Sequence, residues 1–303
     1  MIHTENLTKK FQTILAVDRL TLDVQSGEVF GFLGPNGAGK TTTVRMLCSL
    51  IAPTTGKAVI NGLTVGQQDQ QIRRSVGILT ETPGLYDNLS AEYNLQIYAN
   101  LYEVADPAGQ VEKYLRMLGL WDRRQDEAGT FSKGMKQKLA IARALLHEPN
   151  ILFLDEPTAG LDPESARLVR DFVSELRSEG RTIFLCTHNL DEADRLCDRI
   201  AVFKTRMLVM DTPDRLRAQV FGRRVVFHLL NATADLAEQA RQAPNVKTVQ
   251  LVDNKLVLEI ENPDTNNPQV IRYLVNAGAE IQYVGELRRS LEDVYLQLVR
   301  NAE

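Results

Sequence analysis

Residues 34–41 read Gly-Pro-Asn-Gly-Ala-Gly-Lys-Thr and match the pattern G-x-x-x-x-G-K-[ST]. They lie between an apolar, strand-like run at 29–33 and a helix-forming segment at 42–50. Glycines allow backbone angles at which successive N–H groups point into one loop, and the following helix adds its unsatisfied N–H groups. The alternative is a chance glycine-rich turn with a surface lysine, but the strand–loop–helix context favours phosphate capture. The pattern therefore predicts a nucleoside triphosphate site.

The loop residues have individual expected roles. Lys40 would reach the β- and γ-phosphates, and the Thr41 hydroxyl would bind Mg²⁺. The predicted nucleotide contacts of the loop are Gly34, Pro35, Asn36, Gly37, Ala38, Gly39, Lys40, Thr41 and Thr42.

A pair of carboxylates follows the continuous apolar run 151–154, which is typical of a strand buried on both faces. The pair is Asp155 and Glu156. Carboxylates at the C-terminal end of a parallel strand face the ligand crevice of the sheet. We expect Asp155 to hold Mg²⁺ indirectly, through another ligand of the ion or through water, and Glu156 to act as general base on the attacking water. The alternative for Glu156 is a solvated carboxylate at a strand end.

The remaining pattern predicts two domains in the 303 residues. The elements after the loop alternate as helix 134–147, strand 151–154, helix 163–179, strand 182–187 and helix 190–196. This alternation favours a largely parallel sheet with helices on both faces. Before the loop a turn is predicted at Lys9–Lys10, and after it a hairpin is predicted that turns at Asn61–Gly62. Strand 224–230, helix 233–241, strands 247–252 and 255–260, helix 268–277 and strand 280–285 then give the order βαββαβ, which is typical of a ferredoxin-like α+β unit. We place the boundary between an α/β domain at 1–218, with a mostly helical part at about 85–130, and a small domain at 219–303.

Composition and charge limit the partners and the cellular location that we expect. The net charge of −4 gives no basic excess for nucleic acid, so no nucleic-acid partner is expected. The three cysteines are scattered, as in a reduced cytosolic protein. No apolar run approaches the ~20 residues that cross a bilayer, and the first residues lack the pattern of a signal peptide. We therefore expect a cytoplasmic protein, with any membrane part supplied by another chain.

The order of motifs resembles the nucleotide-binding subunit of an ATP-binding cassette (ABC) transporter. Residues 131–137, Phe-Ser-Lys-Gly-Met-Lys-Gln, are similar to the family's Leu-Ser-Gly-Gly-Gln signature. Residues 159–162, Ala-Gly-Leu-Asp, resemble its D-loop, and Thr187-His188 resembles its switch histidine. Residues 290–296, Ser-Leu-Glu-Asp-Val-Tyr-Leu, are similar to the tail of drug- and lipid-exporting cassettes of the daunorubicin-resistance-like, ABC-2 type branch.

The resemblance implies a P-loop fold with a RecA-like core, an antiparallel β subdomain and a helical subdomain. It also implies ATP as the nucleotide and a dimer of cassettes, in which Ser132, Gly134 and Met135 close over the γ-phosphate bound to the other subunit. Asp162 would reach across that dimer, and His188 would sense the γ-phosphate and orient the general base. The alternatives are that Ser132 and Asp162 merely cap their helices, and that His188 is a structural histidine.

Two positions depart from the family pattern. The Q-loop glutamine falls at Glu81, whose carboxylate can bind Mg²⁺ but adds negative charge near the phosphates. The adenine-stacking position, commonly tyrosine, is Phe11, which keeps the aromatic face. Phe11 could alternatively be a core residue of the first sheet.

The resemblance implies the ATP-hydrolysing subunit of an ABC exporter, peripheral on the inner face of the cell membrane. Its partners would be ABC-2 type permease subunits and a second cassette, in a homodimer or a heterodimer. Leu85 and Tyr86 could belong to the permease-binding surface or to the core of the helical part. The alternative functions are a soluble ABC ATPase without a transport partner, although this chain has one cassette and no heptads, and a non-catalytic nucleotide-gated scaffold. The small domain would steady the dimer or tune its opening; the alternative is an appendage that is not coupled to the cassette.

Overall fold

The structure is a computed structural model that describes residues 1–287 and 289–300. The chain divides into two compact units, Met1–Thr212 and Pro213–Glu303. The division lies before the boundary expected at 218/219, because helix α8 (Pro213–Phe221) packs with the last helix of the second unit.

The first unit holds two sheets and seven α-helices among its described residues. Its strands are β1 (Ile2–Phe11), β2 (Ile14–Val24), β3 (Val29–Leu33), β4 (Thr55–Ile60), β5 (Leu63–Thr64), β6 (Val76–Leu79), β7 (Ile151–Asp155), β8 (Thr182–Thr187), β9 (Arg199–Lys204) and β10 (Arg206–Asp211). Its helices are α1 (Lys40–Leu47), α2 (Asp69–Ser75), α3 (Ala91–Leu101), α4 (Pro107–Met117), α5 (Lys133–Leu145), α6 (Pro163–Ser178) and α7 (Leu190–Leu196), with 3-10 turns at Trp121–Arg123 and Ala128–Thr130.

The larger sheet has the strand order β10-β9-β3-β8-β7-β6 and is parallel except for β10. Its central strands β3, β7 and β8 are buried at every position, as the apolar runs predicted. In the register, Leu33 pairs with Thr187, and Asp155 pairs with Cys186. The C-terminal ends of three strands therefore meet at one edge, where polar residues of distant sequence come together.

The smaller sheet is antiparallel, with the order β2-β1-β4-β5. The sequence indicates a turn at Lys9–Lys10, and this is wrong: β1 continues to Phe11 and turns at 12–13. Lysines fit the end of β1 because it is largely open to solvent, with Lys9 half-buried and Lys10 exposed. The hairpin turn predicted at Asn61–Gly62 is confirmed, and both residues have positive φ, as a type I′ turn requires.

The second unit contains β11 (Arg224–Leu229), α9 (Ala234–Arg241), β12 (Val246–Val252), β13 (Lys255–Ile260), α10 (Pro263–Asn276), β14 (Ile281–Glu286) and α11 (Leu291–Arg300), after α8. Its antiparallel sheet has the order β12-β13-β11-β14, which confirms the ferredoxin-like βαββαβ arrangement. Helix α10 begins at Pro263 rather than at the predicted 268, because a proline at the first helical position suits a helix start. Among the described residues, no helix has the length and apolar character needed to cross a bilayer.

Candidate active site

The glycine-rich loop between β3 and α1 has room only for glycine at two positions. A Cβ atom at Gly34 would lie 2.3 Å from the carbonyl oxygen of Phe203. A Cβ atom at Gly39, where φ is +105°, would lie 2.3 Å from the carbonyl oxygen of Ala16 on β2. The loop is therefore held against both sheets of the first unit, while Gly37 at its tip has φ +78° and open space around it. Glycine angles of this kind suit a loop whose backbone N–H groups form a phosphate cradle.

Lys40 is the first residue of α1, and its side chain turns back over the loop. Its Nζ donates to the carbonyl oxygen of Gly34 at 2.7 Å and lies 3.2 Å from Oε1 of Glu156. Only 7% of the lysine side chain is exposed. The ammonium group of Lys40 is thus already positioned above the loop. Phosphate oxygens could replace the Gly34 carbonyl oxygen as its hydrogen-bond acceptors.

Thr41 and Asp155 form a second contact between the loop and the sheet edge. The Thr41 hydroxyl donates to Oδ2 of Asp155 at 2.6 Å. Oδ1 of Asp155 is buried and has no hydrogen-bond partner among the described residues. Burial raises the pKa of Asp155; the bond from Thr41 opposes this, and the charge of Glu156 adds to it. Hydroxyl and carboxylate oxygens are the ligands that Mg²⁺ prefers, so this pair fits a magnesium site.

Glu156 follows the end of β7 in a left-handed backbone conformation, with φ +52°. This conformation is uncommon for a residue with a side chain, and it is held here by the Glu156 N–H, which donates to the carbonyl oxygen of Cys186 at 2.9 Å. Oε2 of Glu156 lies 2.8 Å from Nδ1 of His188. Only 8% of Glu156 is exposed, so the alternative of a solvated strand-end carboxylate is wrong. The carboxylate lies between Lys40 and His188, where it can accept a proton.

Glu192 supports this site, and the sequence analysis missed it. It is 1% exposed, and its Oε2 accepts a hydrogen bond from the Thr187 hydroxyl at 2.9 Å. That hydroxyl accepts from the Asn189 N–H at 3.0 Å, so the turn that carries His188 is fixed on both sides. Burial raises the pKa of Glu192, and the charge of Glu156 adds to the effect. The spacing from Asn189 to Glu192 is that of a capping box, which was the available signal.

The signature-like segment and the D-loop-like segment meet at the N-termini of α5 and α6. The Ser132 hydroxyl accepts from the Met135 N–H at 3.2 Å, and Asp162 accepts from the Ser165 N–H at 2.9 Å. That bond lowers the pKa of Asp162. A Cβ atom at Gly134 would lie 2.4 Å from the Ser165 hydroxyl oxygen, so glycine is needed for the two helix ends to approach. Ser132 and Asp162 therefore cap their helices, as the alternative reading of the sequence predicted. Capping does not prevent either side chain from also contacting a second cassette.

Gln137 connects this second cluster to the first. Its side chain is 4% exposed, and its Nε2 donates to the carbonyl oxygen of Pro157 at 2.7 Å. Pro157 directly follows Glu156 in the chain. Helix α5 is therefore attached to the segment that carries the candidate base, which the sequence analysis did not predict although Gln137 lies in the quoted motif.

Two predicted residues lie on other segments. Phe11 ends β1 and is 45% exposed, so the alternative that it is a core residue is wrong. Nζ of Lys9 lies 4.9 Å from the centroid of its ring. Glu81 is exposed just after β6, and its charge contributes to raising the pKa of Asp155. Among the described residues, no hydrogen bond joins Phe11 or Glu81 to the loop.

Comparison with known families supports the sequence resemblance. A family model described as ABC transporter matches residues 17–159, and a model described as ATP-binding protein DrrA1-3-like, C-terminal domain, matches residues 212–299. The uncharacterized ABC transporter ATP-binding protein YhcH of Bacillus subtilis is 33% identical over 299 residues, which cover 98% of this chain and 95% of that protein.

Two further relatives cover mainly the first unit. The fluoroquinolones export ATP-binding protein MT2762 of Mycobacterium tuberculosis is 40% identical over 213 residues, covering 69% of each chain. The dimeric structure of MJ0796, a bacterial ABC transporter cassette, superposes with a TM-score of 0.65 at 26% identity, covering 70% of this chain and 98% of that chain. The chain therefore belongs to the ABC transporter family, as an ATP-binding ATPase with a DrrA-like C-terminal domain.

Proposed function

We propose that this chain binds ATP with Mg²⁺ and hydrolyses it to energise an exporter whose membrane-spanning subunits are separate chains. The observation that carries the proposal is the buried carboxylate of Glu156, held 3.2 Å from Lys40 and 2.8 Å from His188. It lies one residue from the Thr41–Asp155 pair. The name of the Mycobacterium tuberculosis relative supports export as the direction of transport.

ATP binding would use groups that are already oriented. The phosphates would take backbone N–H groups of residues 34 and 36–42 as donors, since Pro35 has none, and the last of these groups form the N-terminus of α1. Lys40 would exchange the Gly34 carbonyl oxygen for phosphate oxygens. The exposed ring of Phe11 offers a face on which adenine can stack.

Hydrolysis would depend on proton acceptance by Glu156. A general base contributes about 10²–10⁴-fold to a rate when it lies within hydrogen-bond reach of the proton that it accepts. His188 would position the carboxylate of Glu156 and contact the γ-phosphate from its half-exposed ring. Thr41 and Asp155, with Glu81 close by, would hold Mg²⁺, which neutralises charge on the phosphates when bound.

The active form would be a dimer of cassettes, either two copies of this chain or this chain with a second cassette. Ser132, Gly134 and Met135 begin α5, where helix N–H groups and the helix dipole favour an anion. In the proposed dimer this helix end closes on the γ-phosphate bound to the other cassette, and Asp162 lies at the same interface. The dimeric structure of MJ0796 supports a dimer of cassettes.

A rigid exposed loop would bind the permease at the inner face of the membrane. Asn94 is completely buried, accepts from the Tyr86 N–H at 2.8 Å and donates to the Tyr86 carbonyl oxygen at 3.0 Å. Tyr86 itself is 51% exposed, beside the half-buried Leu85. A tyrosine presented on a fixed backbone loses little entropy on binding, as interface aromatics do. The DrrA-like second domain supports a permease of the ABC-2 type.

Mixed dimers test the proposed shared site. We expect Lys40→Ala and Ser132→Arg each to abolish phosphate release alone, and an equal mixture to recover partial turnover, because one composite site per mixed dimer is intact. A mixture of Lys40→Ala with Glu156→Gln is the matched control, since both changes disable the loop-bearing half and no intact site can form. Full turnover by Ser132→Arg alone would contradict the shared site, and no recovery in the first mixture would contradict a dimer of two copies of this chain.

Co-purification with the membrane subunit tests the permease surface. When the chain is produced with the membrane protein that it retains, Tyr86→Arg should reduce the amount of membrane protein recovered. Tyr283→Arg changes a tyrosine of the second unit that is 65% exposed, and it serves as the control. Equal recovery with both variants would remove Tyr86 from the proposed surface.

A further inference from the structure

The second unit contains a pocket of about 290 Å³ whose lining is rich in arginine. It lies between α8, the beginning of β11 and the segment that leads from β14 to α11. Its arginines are Arg215, Arg217, Arg223, Arg224 and Arg289. These are five of the eleven lysines and arginines from residue 213 onward, whereas two carboxylates are found among the described lining residues. Positive charge is thus concentrated here in a domain whose total charge is nearly balanced.

Two of the arginines are fixed by carboxylates. Arg217 forms an ion pair of 2.7 Å with Asp214. Arg223 donates two bonds to Asp264, at 2.7 and 3.0 Å, and a third to Glu286 at 3.2 Å. The bonds to Asp264 raise the pKa of Arg223 further. These pairs build the wall of the pocket and neutralise their own charges.

The other feature of the pocket is a pair of guanidinium groups without carboxylate partners among the described residues. Nε of Arg224 is buried and has no hydrogen-bond acceptor there. Arg289 is exposed and lies over the ring of Phe221, 5.5 Å from its centroid. A buried N–H donor is normally paired, so the guanidinium of Arg224 has unused hydrogen-bonding capacity beside the pocket. Two guanidinium groups without carboxylate partners in one pocket favour the binding of an anion.

We propose that this pocket binds a phosphate monoester. Guanidinium groups match phosphate oxygens with paired N–H donors, which makes arginine the preferred residue for such anions. The volume is near the lower end of the range for small-molecule pockets, and Phe221 and Leu287 supply an apolar wall for a small organic group. The monoester is either a soluble phosphate compound or the headgroup of a phospholipid such as phosphatidic acid. This proposal does not depend on ATP hydrolysis.

The test uses the full chain with its phosphate loop filled by a non-hydrolysable ATP analogue. In one arm, glycerol phosphate is titrated by calorimetry; in the other, the chain is sedimented with phosphatidylcholine vesicles with and without phosphatidic acid. The test variant is Arg289→Gln, whose side chain is exposed and whose fold is checked by its thermal transition. Arg272→Gln, on the exposed face of α10 and outside the pocket, is the matched control. Arg224→Gln is the second test variant.

We expect the wild type and Arg272→Gln to bind at least one of the two probes, and Arg289→Gln to bind it at least tenfold more weakly. Binding of glycerol phosphate alone identifies a soluble ligand, and binding to phosphatidic acid vesicles alone identifies a lipid headgroup. The proposal is overturned if the wild type binds neither probe. It is also overturned if Arg289→Gln, or a folded Arg224→Gln, binds as tightly as the wild type.

Discussion

The ion pair between Lys40 and Glu156 should dominate the stability of the nucleotide-free site. Their side chains are 7% and 9% exposed, and Nζ and Oε1 are 3.2 Å apart. Lys40→Met leaves a buried carboxylate opposite His188 alone, and breaking a buried pair in this way costs about 3–5 kcal/mol. For a domain of this size each 1 kcal/mol lowers Tm by about 2–4 °C, so we expect a fall of roughly 6–20 °C. The lower part of that range is favoured because Nδ1 of His188 remains 2.8 Å from Oε2 of Glu156, within hydrogen-bond distance.

A double-mutant cycle measures the pair directly by thermal unfolding without nucleotide at neutral pH. Combining Lys40→Met with Glu156→Gln should recover much of the loss, with a coupling energy above about 1 kcal/mol. The control cycle uses Arg74→Met and Glu103→Gln, a pair of 2.9 Å whose side chains are 51% and 68% exposed. Exposed pairs of this kind contribute about 0.2–1 kcal/mol. A coupling energy at Lys40 and Glu156 no larger than that of the surface pair would show that burial does not strengthen this ion pair.

Three further changes have defined outcomes. Gln137→Leu leaves the buried carbonyl of Pro157 unpaired, so it should lower the unfolding free energy by about 1–3 kcal/mol. The control Gln71→Leu changes an exposed glutamine and should be nearly neutral. Equal effects of the two variants would contradict the link between α5 and Pro157. Because burial raises the pKa of Asp155, the folded nucleotide-free protein holds that proton more tightly, and stability is lost as the pH rises above the ordinary value of 3.8. Denaturant unfolding across the acidic range should show that the unfolding free energy of Asp155→Asn depends less steeply on pH than that of the wild type. An unchanged slope would contradict the raised pKa of Asp155. Truncation after Thr212 should preserve binding of an ATP analogue and weaken self-association; a folded truncated protein that no longer binds the analogue would place the second domain in the ATP site.

Local patterns predicted the parts of the fold that depend on neighbouring residues. The buried runs of β7 and β8 were predictable because strands covered on both faces read as continuous apolar sequence. The Asn61–Gly62 turn was predictable because few residues tolerate positive φ. The turn at Lys9–Lys10 was predicted wrongly, since two lysines on a solvent-facing strand look like a loop when the pairing strand is unknown.

The support of the site depended on contacts that the sequence does not display. Gln137 and Pro157 are twenty positions apart, and their bond exists only because α5 packs beside the end of β7. Glu192 looks like a surface residue in the first turn of a helix, yet it is buried against Thr187. The roles of the motif residues could be assigned from their spacing in the sequence. The roles of Gln137 and Glu192 depend on which elements the parallel sheet brings together.

The most direct test of the account is phosphate release by Glu156→Gln. This change removes proton acceptance and keeps the shape of the side chain, so turnover should fall by about 10²–10⁴-fold while ATP binding is retained. Glu164→Gln is the matched control, because Glu164 is an exposed glutamate in the first turn of α6, and its turnover should match the wild type. Near-normal turnover by Glu156→Gln, with the protein folded and bound to ATP, would contradict the assignment of Glu156 as the general base.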